Sequence, residues 1–86
     1  MTLETNKLLP STIINEWSME FYSPAEEEWV DYCYWTISDQ QDQAIELLLK
    51  DENNQVEYLS CRHKAWTYEE FQRNQGTDSL NLIRDL

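Results

Sequence analysis

The sequence predicts an α+β domain: a small antiparallel sheet, about four strands in a meander, with one or two C-terminal helices packed on it. Three observations lead there. Polar and apolar residues alternate from Glu16 to Phe21, aromatic and β-branched types dominate Trp29 to Ile37, and a capping-box pattern, Thr67-Tyr68-Glu69-Glu70, opens a stretch that ends at Gly76. The 86 residues are enough for one domain, read as 1–86. Eleven aromatic residues supply most of the material for its core.

The first eleven residues mix polar and apolar types without period and read as a loosely held N-terminal arm. Glu16, Ser18 and Glu20 then alternate with Trp17, Met19 and Phe21, the period of a half-buried strand. A helix competes over 12–22, because Ile13, Trp17 and Phe21 also fall four apart. Ser23-Pro24-Ala25-Glu26 has the form of a helix start, yet the residues after Trp29 suit a pleated surface, so one helical turn followed by a strand is expected. In that strand Trp29, Cys33, Trp35 and Ile37 share one face, and Val30, Tyr32, Tyr34 and Thr36 the other.

The segment from 43 to 50 is ambiguous. Ala44 to Lys50 contains good helix formers behind a cap-like Ser38-Asp39-Gln40-Gln41. The strand reading is preferred because Asp51-Glu52-Asn53-Asn54 resembles a tight hairpin connection and a returning strand follows from Val56 and Tyr58. Thr67 then caps a helix with Phe71 against the sheet, and Thr77 or Asp78 opens a last short helix carrying Leu80, Ile83 and Leu86.

Charge bounds the function more sharply than any motif. The net charge is −11, with no Lys or Arg between Lys7 and Lys50, while Arg62, Lys64, Arg73 and Arg84 balance the acids after Cys61. Such a surface is a poor match for phosphate, so direct nucleic-acid and anionic-membrane binding are not expected. The longest apolar run, Leu47-Leu48-Leu49, is far too short to span a bilayer, and the N-terminus lacks the pattern of a secretory signal. A cytoplasmic protein with reduced cysteines is expected.

Cys33, Cys61 and His63 are the only soft metal ligands in the chain. Their spacing fits no zinc motif, and no metal or other cofactor is expected. Cys33 reads as core packing and His63 as part of an exposed basic strand segment. A Cys/His nucleophile pair also needs a cradle for an oxyanion, and a chain with one glycine offers little material for it.

What stands out is the conjunction of acids and aromatics: Glu16-Trp17, Glu20-Phe21-Tyr22, Glu28-Trp29 and Asp31-Tyr32. Aromatic anchors ringed by carboxylates suit the docking of a basic protein surface. The expected function is therefore a non-enzymatic regulatory, inhibitory or accessory protein, with Glu26, Glu27, Glu28, Asp31, Tyr32 and Tyr34 as partner-binding residues. A nucleic-acid mimic or immunity-type inhibitor is the second reading. A small enzyme or ligand binder using Cys33, Cys61 and His63 is the third.

Overall fold

The computed structural model describes residues 8–76 and 79–86. Three strands, β1 (Ile13–Ser23), β2 (Glu28–Thr36) and β3 (Glu57–Thr67), form an open antiparallel sheet in the order β2-β1-β3. Helix α1 (Gln41–Asp51) lies between β2 and β3 in the chain, α2 (Tyr68–Gln75) follows β3, and a 3₁₀ turn spans Ser79–Leu82. The protein is thus a small α+β domain with two helices, one of them near the C-terminus.

The expected four-stranded meander is replaced by three strands and a crossover. β1 is central and antiparallel to both neighbours, so β2 and β3 run parallel to each other. Parallel strands need a long connection, commonly helical, and residues 37–56 supply it. Ala44 and Leu48, one helical repeat apart, are fully buried on the sheet, which settles 43–50 as helix. Asp51-Glu52-Asn53-Asn54 ends that helix instead of turning a hairpin. Asn53 and Asn54 take φ of +53° and +64°, and Asn54 N–H donates to the Leu49 carbonyl at 2.8 Å. Asn tolerates this left-handed backbone, so the same residues serve a helix C-terminus as readily as a tight turn.

Over 12–22 the strand reading holds. Trp17, Met19 and Phe21 face one side of β1, here called the front, and join Tyr34, Ala44 and Leu48 in a core roofed by α1. Ile14 faces the back, where Tyr68 and Phe71 of α2 and Ile83 form a second core with Trp35 and Trp66 around it. Both cores share the sheet. The front is covered along most of its length and the back only at one end.

The β1–β2 connection realises the Ser23 cap within a hairpin. Glu26 N–H donates to Ser23 Oγ at 3.3 Å, Glu27 N–H donates to the Ser23 carbonyl at 2.7 Å, and Glu27 at φ +57° reverses the chain into β2. Thr67 caps α2 with both bonds of the capping box: Glu70 N–H to Thr67 Oγ1 at 3.1 Å and Thr67 N–H to Glu70 Oε1 at 3.0 Å. Gly76, at φ +90°, closes it.

The N-terminal arm falls partly outside the described residues, which begin at Leu8. Its described part is tied down: Tyr68 N–H donates to the Thr12 carbonyl at 2.7 Å and Glu69 N–H to the Pro10 carbonyl at 3.1 Å, satisfying first-turn donors of α2. The C-terminal tail is fastened to the start of the crossover. Ile83 bridges Trp35 in parallel, and the Asp85 carboxylate accepts from Ile37 N–H and Ser38 N–H at 2.7 and 2.8 Å. The short helix expected to open at Thr77 or Asp78 lies in part outside the described residues, and its remainder is the 3₁₀ turn with Ser79 buried.

A candidate docking surface on the back of the sheet

Register arranges the uncovered back face in cross-strand rows. At the hairpin end Trp29 lies opposite Tyr22, and Tyr22 opposite Glu57. The next row is Asp31, Glu20 and Ser60, and the one after it Cys33, Ser18 and Arg62. Beyond Trp35, Glu16 and Lys64 the second core takes over.

The first row is an aromatic cluster without a roof. Tyr22 meets Trp29 edge-on with ring centroids 5.8 Å apart, and Trp29 meets Tyr58 at 6.3 Å. Trp29 is 57% and Tyr58 76% exposed, which is unusual for rings that normally supply core. Tyr58 also sits on a bulge: Glu20 pairs with Ser60 but Tyr22 with Glu57, so Tyr58 and Leu59 together face the single Phe21. Leu59 stays packed on the front core. Tyr58 takes up the extra residue at φ +56°, a conformation costly for a bulky side chain.

The second row carries bare charge. Glu20 and Asp31 are direct cross-strand partners, an arrangement that destabilises a sheet through repulsion. Both are exposed, and among the described residues the ion pair that forms lies elsewhere, between Arg84 and Asp51 at 3.0 Å. Between this row and the covered end is an open depression of about 470 Å³, bounded by Glu16, Glu20, Asp31 and Arg62 with Ser18 and Cys33 in its middle row.

Glu16 differs from its acidic neighbours because its oxygens are occupied. Oε1 accepts from Trp66 Nε1 at 2.8 Å and Oε2 from the Cys33 thiol at 3.3 Å. Loss of solvent around the thiol, then its bond to Glu16 and the charge there, push Cys33 up to about 12. Cys33 is exposed, not the core cysteine expected from its aromatic neighbours, and it stays protonated.

The residues expected to bind a partner are divided by the sheet. Glu26, Glu27 and Glu28 are exposed around the hairpin turn, and hydrogen bonding to Glu28, followed by desolvation and repulsion, raises the Glu26 carboxyl. Asp31 faces the back beside the aromatic row. Tyr32 is on the front, 5.7 Å from Phe21, where the Glu52 carboxylate raises its phenol. Tyr34 is a correction: it is buried at 6% exposure. Its hydroxyl donates to Asp51 Oδ2 at 2.8 Å, and the Arg84 guanidinium lies 5.0 Å from its ring centre. The cause is α1, which covers the face that a strand over 44–50 would have left open.

Cys33, Cys61 and His63 are likewise not brought together. Cys33 is on the back of β2, whereas Cys61 and His63 are on the front of β3, with β1 between the strands. Two strand spacings, about 9.6 Å, exceed the reach of a disulfide. His63 is not simply an exposed basic residue: it stacks on Trp17 with centroids 4.4 Å apart. Asn15 Nδ2 donates to the Ile37 carbonyl at 3.0 Å, which leaves Oδ1 to accept from His63 Nε2 at 2.7 Å. Trp17 Nε1 donates in turn to Thr36 Oγ1 at 2.8 Å. Among the described residues no three His, Cys, Asp or Glu side chains are grouped to hold a metal, and no helix is long and apolar enough to cross a membrane.

Glu20, Tyr22, Trp29 and Tyr58, which line this face, lie outside the residues expected from the sequence to bind a partner, although Glu20 neighbours Tyr22 and Glu28 neighbours Trp29 in the chain. The alternation along β1 places Glu20 and Tyr22 opposite the Met19 and Phe21 side. Only the hairpin register brings Trp29 beside them, and only the bulge brings Tyr58. Comparison with protein-family models, with curated proteins and with solved structures found no match.

Proposed function

We propose that this protein is a non-enzymatic, cytoplasmic accessory or regulatory factor that docks the back face of its sheet onto a basic surface of a protein partner. The observation that carries the reading is the exposed Trp29–Tyr58 pair, with Tyr58 held on a strained bulge, beside the opposed carboxylates of Glu20 and Asp31. The left-handed tyrosine and the like charges face to face cost folding stability, and the rings left in water forgo the stabilisation that burial gives. Together they have the composition of a docking site, aromatic anchors with a charged surround. Glu26, Glu27 and Glu28 at the adjoining turn extend the field that steers a basic partner.

Nucleic-acid mimicry asks for carboxylates in uninterrupted rows, because duplex DNA carries about one charge per 1.7 Å of axis. Arg62 and Lys64 share the back face with Glu20 and Asp31, and that interruption favours direct docking over mimicry.

The test is a quantitative capture from the native cell extract with matched baits. A partner held by the wild-type chain and by an Arg73→Ala control, but lost by Trp29→Ala/Tyr58→Gly, is the expected outcome. For the purified pair, Glu26→Gln/Glu27→Gln/Glu28→Gln should slow association and flatten its salt dependence, whereas Trp29→Ala should speed dissociation. A partner retained equally by every bait refutes docking through this face.

A further inference from the structure

We propose that the depression between the carboxylate row and the covered end of the back face receives an arginine side chain of the partner. The inference rests on the reading that this face docks a basic protein, and it names the group that is recognised. Glu20 and Asp31 stand directly opposite each other on β1 and β2, where facing Cβ atoms are about 4.5–5.5 Å apart. From those positions the longer Glu20 and shorter Asp31 side chains can splay to flank a guanidinium, whose forked donors bond one acid along each of two edges. A lysine ammonium is a compact point charge with no such fork.

The surroundings fit the same group. Ser18 and Cys33 are small, so the middle row leaves room for a planar head above the sheet. Glu16 borders the depression but is held in place by Trp66 and Cys33, so the carboxylates free to turn onto the guanidinium are Glu20 and Asp31. Arg62 closes the β3 side of the depression with like charge, which directs the incoming cation over β2. One row toward the hairpin, about 6.6 Å along the strands, Tyr22 and Trp29 offer faces on which an arginine stem or a stacked guanidinium settles. A second copy of the chain is a poor occupant, since its net charge of −11 repels its like.

Titration of the ¹⁵N-labelled full chain with tetra-arginine, tetra-lysine and tetra-citrulline peptides tests this, read from the Trp29 indole N–H and the amides of 18–20 and 31–33. Tetra-arginine should bind at least about tenfold more tightly than tetra-lysine, and the neutral citrulline peptide should leave the signals in place. Glu20→Gln/Asp31→Asn should weaken tetra-arginine about tenfold, with the rest of the spectrum attesting the fold, while Asp39→Asn/Asp42→Asn should not. Equal affinity for arginine and lysine, shifts spread over α1 and the hairpin turn, or equal losses in the two double variants would overturn the assignment. So would concentration-dependent self-association that moves the same signals. If the native partner needs Trp29 and Tyr58 but tetra-arginine leaves these signals unmoved, the docking face stands and the arginine site falls. If neither depends on the face, both fall.

Discussion

Tyr58 offers a test in which the backbone itself gives the answer. A left-handed backbone costs an ordinary L-residue about 1–2 kcal/mol, and Tyr58 sits there at φ +56°. Replacement by Ala keeps that cost and removes the ring. Replacement by Gly removes both, but gives back about 0.4–1 kcal/mol through the freer unfolded chain. With 76% of Tyr58 exposed, about 50 Å² of ring area is buried, so either truncation loses about 1 kcal/mol of burial. The Gly variant is then close to wild type, and the Ala variant about 0.5–1 kcal/mol less stable than Gly. That order inverts the usual one, since Gly in a regular strand is the worse of the two by about the same margin. Urea denaturation of the three proteins at equal ionic strength measures it, with equal m-values as the control for compactness. Partner binding should fall in both variants alike, because both lack the ring. An Ala variant more stable than the Gly variant would show that Tyr58 is not left-handed, and the bulge argument would go with it.

Three further outcomes follow from named contacts. Thr67→Ala should cost about 1 kcal/mol and speed amide exchange at the start of α2, since Thr67 Oγ1 caps Glu70 N–H at 3.1 Å; unchanged exchange there would refute the cap. Arg84 and the Tyr34 hydroxyl hold the Asp51 carboxyl below its ordinary value of 3.8, so its folded pKa is depressed and its contribution is present above that value and lost as pH falls through it. Asp51→Asn should therefore be less stable than wild type at pH 7, with the difference closing in acid denaturation below about pH 4, and a pH-independent difference would contradict the pairing. Loss of solvent around the thiol, then its bond to Glu16, pushes Cys33 up to about 12, so it should alkylate far more slowly than a free cysteine at pH 8, and mass-spectrometric alkylation at the rate of a free cysteine would contradict that protected setting.

The parts of the fold legible in the sequence were those set by neighbours in the chain. The alternation of β1 and the capping box at Thr67 need no knowledge of what lies across the sheet, and both stand. The segment at 44–50 was not legible, because Ala-Ile-Glu-Leu-Leu-Leu-Lys fits helix or strand and Asn53-Asn54 suits the end of either. What decides it is that β3 pairs with β1 and not with its predecessor, a long-range fact. The site inherits that error. With α1 on the front, Tyr34 is sealed beneath Asp51 and Arg84, while Trp29 on the opposite face is left in solvent. Acids next to aromatics in the chain fall on β1 and β2, and only register and roof say which ring of each strand stays exposed.

The acidic residues sort by what they accept, and the sorting bears on why the chain carries so many. Glu16 accepts from Trp66 and Cys33, Asp51 from Tyr34 and Arg84, Glu70 from the start of α2, and Asp85 from Ile37 and Ser38. Glu16, Asp51 and Asp85 each fasten one element to another, and Glu70 closes the cap of its own helix. Glu20, Asp31, Glu26, Glu27 and Glu28 fasten nothing of the kind, and they gather around the exposed aromatic row. If the back face docks a cationic partner as proposed, binding relieves the repulsion of Glu20 against Asp31, and the carboxylate row supplies part of the driving force for that complex.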